Sequence, residues 1–358
     1  MPAAPPHPSG TRAVAAIREP GHGMGAGRPP TLADVAALAG VGRGTASRVL
    51  NDSPHVSPAA RTAVQAAVEA LGYVPNHAAR SLVTRRTGTV ALVVSEPGER
   101  VFNEPYFAAI VRGIGEALAA SGVQLVLTMA GEQPAAGRAA TYLTDRHVDG
   151  VLLLSLHAED PLPDLLEARG VPTVCGGSPA TRRPAYVVDA DNLAGGRAAV
   201  DHLVAGGRRR LAVLAGPQDM SSGRDRLVGA LDAAEAAGLA RPEVAWGDYS
   251  EESGRRAMAE LLAGGPPPDG VFAASDLMAV GALRALRDAG LAVPRDVALV
   301  GFDDAPVCRH TDPELTTVRQ PVSRMGRVMA EVLLERIAGR EVPADTVLPT
   351  RLVVRGSA

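Results

Sequence analysis

Residues 31–82 read TLADVAALAGVGRGTASRVLNDSPHVSPAARTAVQAAVEALGYVPNHAARSL. Thr31 and Asp34 stand as an N-cap and the acid three residues on, and Leu32, Val35, Ala36 and Ala39 recur at helical spacing until Gly40. After the turn Gly40-Val41-Gly42, a second short helix is predicted over about Gly44 to Leu50, with Ala46, Val49 and Leu50 on one face. A third begins at Ser57, a cap followed by Pro58 at the first helical position; its apolar stripe is Val64, Ala67, Val68 and Leu71, and Gly72 closes it. Two short helices joined by a tight glycine-containing turn make a helix-turn-helix.

Such a motif lays its second helix in the major groove of a duplex, with the N-terminal residues facing base edges. Here that start is Arg43-Gly44-Thr45, with Arg48 one turn further on. Arg43 and Arg48 can each fork onto guanine O6 and N7, worth about 1–3 kcal/mol of discrimination per bidentate pair. Thr45, Ser47 and Asn51 are short hydrogen-bonding side chains suited to positioning phosphates. An arginine on an exposed helix is otherwise a solvated charge. Charge distribution supports a polyanion: residues 28–87 carry seven Arg against two Asp and one Glu, whereas the whole chain is at -3.

Outside this head the pattern changes. Residues 1–27 are dominated by Ala, Pro and Gly and are expected to form a disordered tail. From Thr89, apolar strands alternate with amphipathic helices. Strands are predicted at Thr89–Val94, Gln124–Met129, Gly150–Leu154, Pro172–Cys175, Tyr186–Asp189, Leu211–Ala215, Gly270–Ala274 and Val297–Phe302, with a linker and one last strand in Arg340–Ala358. Helices are predicted at Ile110–Ser121, Leu193–Ala205, Arg224–Ala237, Ser253–Leu262, Ala279–Ala289 and Val322–Ala338. Near-continuous apolar strands between helices predict parallel sheets covered on both faces, and this many units divide into two sheets. Ligands of such sheets sit beyond the carboxyl ends of the strands.

The 31–82 stretch, with LAGP, RDRLVGA, ASDLMAVGAL and VALVGFDD further on, resembles the lactose/galactose repressor (LacI/GalR) family in motif order and without gaps in the head. The resemblance covers essentially everything after about residue 30. It implies an all-α helix-turn-helix head on an α/β two-lobed, periplasmic-binding-protein-like domain with two parallel sheets. The expected organisation is a tail (1–27), a DNA-binding domain (28–74), a hinge helix and linker (75–87) and an effector-binding and dimerisation domain (88–358). The first lobe of that domain is expected over about 88–189 and 319–346, the second over about 190–318 and 347–358. The implied activity is repression: a homodimer on a pseudo-palindromic operator in double-stranded DNA, controlled by a small-molecule effector of the sugar class.

Residue by residue, the resemblance adds Thr31, His55, Tyr73, Asn76, His77 and Ala79 to the DNA-facing set. Gly44 lies where a base-reading side chain is usual and contributes none. Tyr73–Leu82 is similar to the family's hinge; Asn76 can cap a helix of about two turns, too short to be stable alone. Leu82 matches the residue that wedges between base pairs in the minor groove, or else it packs on the body. In the body, Arg226, Ser275 and Asp303 match pocket positions, and Tyr106, Phe107 and Tyr249 match wall positions. Arg226 and Asp303 can hold neighbouring sugar hydroxyls, or form a salt bridge between lobes. Asp276 either faces the ligand or caps a helix, and Phe107 is either wall or core. The family's anchoring acid after the fourth strand is replaced by Gly176-Gly177.

Other classes leave little trace. Cys175 and Cys308 have no metal-ligand spacing and form no disulfide framework, so a reducing cytoplasm is the expected setting. No export signal and no charge-free run of 18 apolar residues appears, against a secreted sugar-binding protein or a membrane protein. Neither a nucleophile elbow, nor a metal-spaced His/Cys set, nor a phosphate-binding loop points to an enzyme, and no cofactor is implied. Arg208-Arg209-Arg210 is either a solvated run or a second nucleic-acid patch.

Overall fold

The structure, a computed structural model, describes residues 28–74, 86–129, 135–145, 147–158 and 160–358. The tail 1–27 and the hinge positions Asn76, His77, Ala79 and Leu82 lie outside the described residues. The chain divides into two compact units, Met1–His77 and Ala78–Ala358.

In the head, α1 (Leu32–Leu38), α2 (Arg43–Leu50) and α3 (Pro58–Leu71) enclose a small core of Val35, Ala36, Ala46, Val49, Val64 and Ala67. The caps follow the sequence. Thr31 N–H donates to Asp34 Oδ2 at 2.8 Å, Ala60 N–H donates to Ser57 Oγ at 3.3 Å, and Gly72 ends α3 in the left-handed region at φ 60°. Helix α2 starts one residue earlier than expected, because Gly42 takes the extended N-cap conformation and Arg43 becomes its first residue.

The larger unit holds two six-stranded sheets. The first contains β1 (Thr89–Val94), β2 (Gln124–Met129), β3 (Gly150–Leu154), β4 (Thr173–Gly176), β5 (Val187–Ala190) and β11 (Asp345–Leu348), ordered β11-β5-β4-β3-β1-β2 with all pairings parallel. The second contains β6 (Leu211–Ala215), β7 (Glu243–Trp246), β8 (Gly270–Ala273), β9 (Ala298–Asp303), β10 (Thr316–Arg319) and β12 (Arg351–Val353), ordered β12-β10-β9-β8-β6-β7. Only β12 runs antiparallel.

Central strands such as β3 and β6 are buried along their whole length, since helices cover both faces. In the first lobe these are α4 (Gly98–Asn103), α5 (Pro105–Ala120), α6 (Ala135–Thr144), α7 (Leu162–Ala168) and α12 (Val322–Ile337); Ile110 and Ile114 of α5 and Met329 and Leu333 of α12 pack with Leu92 and Leu152. The second lobe has α8 (Asn192–Ala205) and α9 (Ser221–Ala236) on one face and α10 (Glu251–Gly264) and α11 (Asp276–Asp288) on the other.

Three strands go beyond the sequence expectation. β7 and β10 have only four residues each, and β7 is an edge strand whose end residues Glu243 and Trp246 are exposed. Arg340–Ala358 supplies two strands instead of one, with the sheet change at Pro349-Thr350, a few residues past the expected one. Arg319 lies in β10 and so belongs to the second sheet.

Candidate functional site

A cleft opens between the lobes, lined by residues at or just beyond the carboxyl ends of β1, β3, β4 and β5 on one side and β7, β8, β9 and β10 on the other. Its floor is built around Arg226 on α9, 5% exposed. The guanidinium lies over the Phe302 ring at 3.7 Å; Nε donates to Asn192 Oδ1 at 2.9 Å and Nη1 to the Ala274 carbonyl at 2.6 Å. Gly196 on α8 permits this placement: a Cβ there would lie 2.1 Å from the Arg226 carbonyl oxygen, so glycine lets α9 approach closely.

Asp303 ends β9 at φ 120°, a conformation an L-residue holds only under strain. Its Oδ1 accepts from Gln320 Nε2 at 2.5 Å and lies 3.6 Å from Arg226 Nη1. Arg226 and Asp303 both belong to the second lobe, so their ion pair does not bridge the lobes. Burial pushes the Asp303 carboxyl up, against the pull of Arg226. Asp276 is fully buried and is pushed up by burial and by Asp303. Its oxygens accept from Thr317 Oγ1 at 2.5 Å and from Ala305 N–H at 2.7 Å, so it ties the β9–β10 connection to α11. Ser275 is the N-cap of α11: its hydroxyl accepts from Met278 N–H at 3.2 Å and donates to the Tyr249 carbonyl at 2.9 Å.

Asp189, near the end of β5, reaches the same floor. It accepts from Ala190 N–H at 2.7 Å and Asn192 Nδ2 at 3.0 Å, and burial pushes it up to about 6. Gly176, at the end of β4, is packed tightly: a Cβ there would lie 2.4 Å from Leu154 Cδ2 and 2.9 Å from Met329 Sδ. The wall is aromatic. Tyr106 and Phe107 at the start of α5 meet edge to face with centroids 5.3 Å apart; burial raises the Tyr106 hydroxyl's pKa. Phe107 is both wall and core, 2% exposed yet lining the cleft. Tyr249, at φ 75°, places its hydroxyl 3.0 Å from Ser222 Oγ.

In the head, the α2 side chains Arg43 and Arg48 are exposed, as are Thr31, Gly44, Asn51 and His55, while Thr45, Ser47 and Tyr73 are half-buried. Arg48 Nε folds back to the Gly44 carbonyl at 3.2 Å, and Asn51 Nδ2 donates to the Ser47 carbonyl at 2.9 Å, closing the end of α2. Tyr73 packs against the small core.

A model of the bacterial regulatory proteins of the lacI family matches residues 31–76, and one of the periplasmic binding protein-like domain matches 200–358. The HTH-type transcriptional regulator CelR of Thermobifida fusca is 53% identical over 335 residues, 92% of this chain and 98% of that protein. The chain belongs to the lacI family of bacterial regulatory proteins. Among solved structures, a CelR–cellobiose complex is 51% identical with TM-score 0.74, covering 92% of this chain and 100% of that one. The lac repressor dimer bound to operator and the anti-inducer ONPF is 30% identical with TM-score 0.82, covering 92% and 99%.

This lacI-family member is thus a DNA-binding transcription regulator with a helix-turn-helix head and a two-sheet effector-binding domain. No helix among the described residues is long and apolar enough to cross a membrane. All seven effector residues expected from the sequence line the one cleft, although Ser275 and Asp276 have their polar atoms engaged within the protein. Sequence reasoning missed Asp189 and the acids Glu96 and Glu104 with Arg100, which line it too. Arg208, Arg209 and Arg210 donate to the carbonyls of Pro294, Val204 and Pro267, and the backbone N–H groups of the last two bind Asp269, so the run secures a loop.

Proposed function

We propose that the chain is a cytoplasmic, non-catalytic repressor that binds a pseudo-palindromic operator as a homodimer and releases or tightens its grip according to a sugar held in the cleft. The observation that carries the sugar reading is the floor: a buried guanidinium held over an aromatic ring beside two half-buried carboxylates, Arg226 with Asp189 and Asp303. Donor fork and acceptors next to the rings of Tyr106 and Tyr249 suit the alternating hydroxyls and apolar face of a pyranose. Among the described residues, five carboxylates and two guanidinium groups line the cleft, so an uncharged sugar is favoured over a phosphorylated one. The similarity to a cellobiose-bound regulator makes a β-linked glucose disaccharide the first candidate.

In the head and hinge, Arg43 and Arg48 would read base edges, with Thr31, Thr45, Ser47, Asn51, His55, Tyr73, Asn76, His77 and Ala79 positioning the backbone and Leu82 wedging the minor groove. Titrating labelled inverted-repeat duplex with the full chain, with and without cellobiose, tests the reading. Cellobiose should shift the operator Kd by about tenfold or more, a coupling of about 1.4 kcal/mol, and cellobiose 6-phosphate should not. Equal affinity for random duplex under both conditions would overturn it.

A further inference from the structure

Two basic side chains reach across the cleft mouth, and one buried carboxylate holds both. Glu96 follows β1, is 4% exposed and lines the cleft. Its Oε2 accepts from Arg100 Nη1 at 3.1 Å, and its Oε1 faces His157 Nε2 at 3.4 Å. From there each arm crosses to the second lobe. Arg100 Nη2 donates to the Asp248 carbonyl at 2.7 Å, and His157 Nδ1 lies 2.7 Å from Asp219 Oδ2. Glu104 steadies the first arm by accepting from Arg100 Nε at 2.6 Å.

We propose that Glu96 is the positioning residue that couples occupancy of the cleft to closure of the lobes, by aiming Arg100 and His157 at the second lobe. A carboxylate offers about four lone-pair sites, so Glu96 can accept a ligand hydroxyl in addition to its two cationic partners. Ligand and arms then share one anchor, and each strengthens the other by linkage. The second arm is protonation-dependent. The Glu96 contact and, against burial, the Asp219 contact push His157 up to about 9. Arg100 on α4 shares Glu96 with this arm, and Asp160, whose N–H donates to the His157 carbonyl, accepts from Ser95 next door. Opening removes Asp219 but keeps Glu96, which sits on the same lobe as His157, so the imidazole falls only part of the way back toward its ordinary range. The contribution to closure is therefore full below that range and lost as pH rises through about 9.

The inference rests on the cleft being the effector site, but its first test needs no ligand. Small-angle scattering of the ligand-free full chain should show the radius of gyration rising between pH 7 and 10 in the wild type. His157→Asn should remove that pH dependence and resemble the wild type at pH 10. Glu96→Gln should be more open than His157→Asn at pH 7, since both arms lose their anchor. With cellobiose, Glu96→Gln should weaken binding about tenfold and His157→Asn about threefold, the latter with a flat pH profile. A wild-type radius indifferent to pH, or a Glu96→Gln radius equal to the wild type's, overturns the proposal. Cellobiose failing to bind the wild type would sink the sugar reading alone, because the scattering result still decides the role of Glu96.

Discussion

The head and the cleft use the same chemical group in opposite ways. Arg48 stands exposed on a short helix, tethered to the Gly44 carbonyl, and its proposed partners lie on the operator. Arg226 is buried and already held by Asn192, the Ala274 carbonyl and the Phe302 ring. A loosely held guanidinium in water adapts to a duplex, gives up little hydration and is screened by salt. A desolvated, fixed one accepts a narrow range of ligands, and its removal leaves neighbouring charges stranded. The contrast separates adaptability from preorganisation within one polypeptide.

The widest gap between the two should appear on deleting the charges. Arg226→Met leaves Asp303 and Asp189 without their cation and should cost about 3 kcal/mol of stability, together with effector binding, read by thermal denaturation and calorimetry. A loss below about 1 kcal/mol would break the comparison, because a preorganised ion could not then be removed so cheaply. Next comes Leu82→Ala, expected to weaken operator binding by about 2 kcal/mol through the lost wedge while cellobiose affinity holds, as measured by anisotropy and calorimetry. Arg48→Ala should reduce preference for the operator over a base-substituted duplex by about 1.5 kcal/mol and leave stability within about 0.5 kcal/mol. A uniform loss over all duplexes would recast it as a phosphate contact.

The smallest effect sharpens the picture of the floor. Burial raises Asp189 from 3.8 to about 6, so the folded state holds its proton more tightly than the unfolded chain does. Wild-type stability therefore falls as pH rises from about 4 through about 6, and above that the buried charge is a standing cost. Asp189→Asn should be more stable than wild type at pH 7.5 and close to it near pH 4, while binding cellobiose less well. Urea melts at the two pH values check the sign.

The head was legible because its evidence is local. Caps, glycine turn and apolar stripe all fall inside 42 residues from Thr31 to Gly72, and each residue's role depends on neighbours a few positions away. In the body, the long apolar strands could be read but the four-residue β7 and β10 could not, since a short edge or half-polar strand has no period to detect. The cleft residues matched by family motif were found; Asp189 and Glu96 were not. Both carried a signal, an acid at or just past an apolar run, yet many acids do. Which of them face the cleft depends on sheet order, β5 and β1 flanking β4 and β3, and that is a property of the assembled lobe.

One short piece of chain, Asp345–Val353, completes an outer edge of each sheet: β11 beside β5 in the first lobe and β12 beside β10 in the second. It follows every other strand in the chain, so during synthesis both sheets wait with bare backbone on one side until it emerges. A frameshift or nick upstream of Asp345 would thus damage two lobes at once, and quality control would meet an aggregation-prone fragment in place of a half-working sensor.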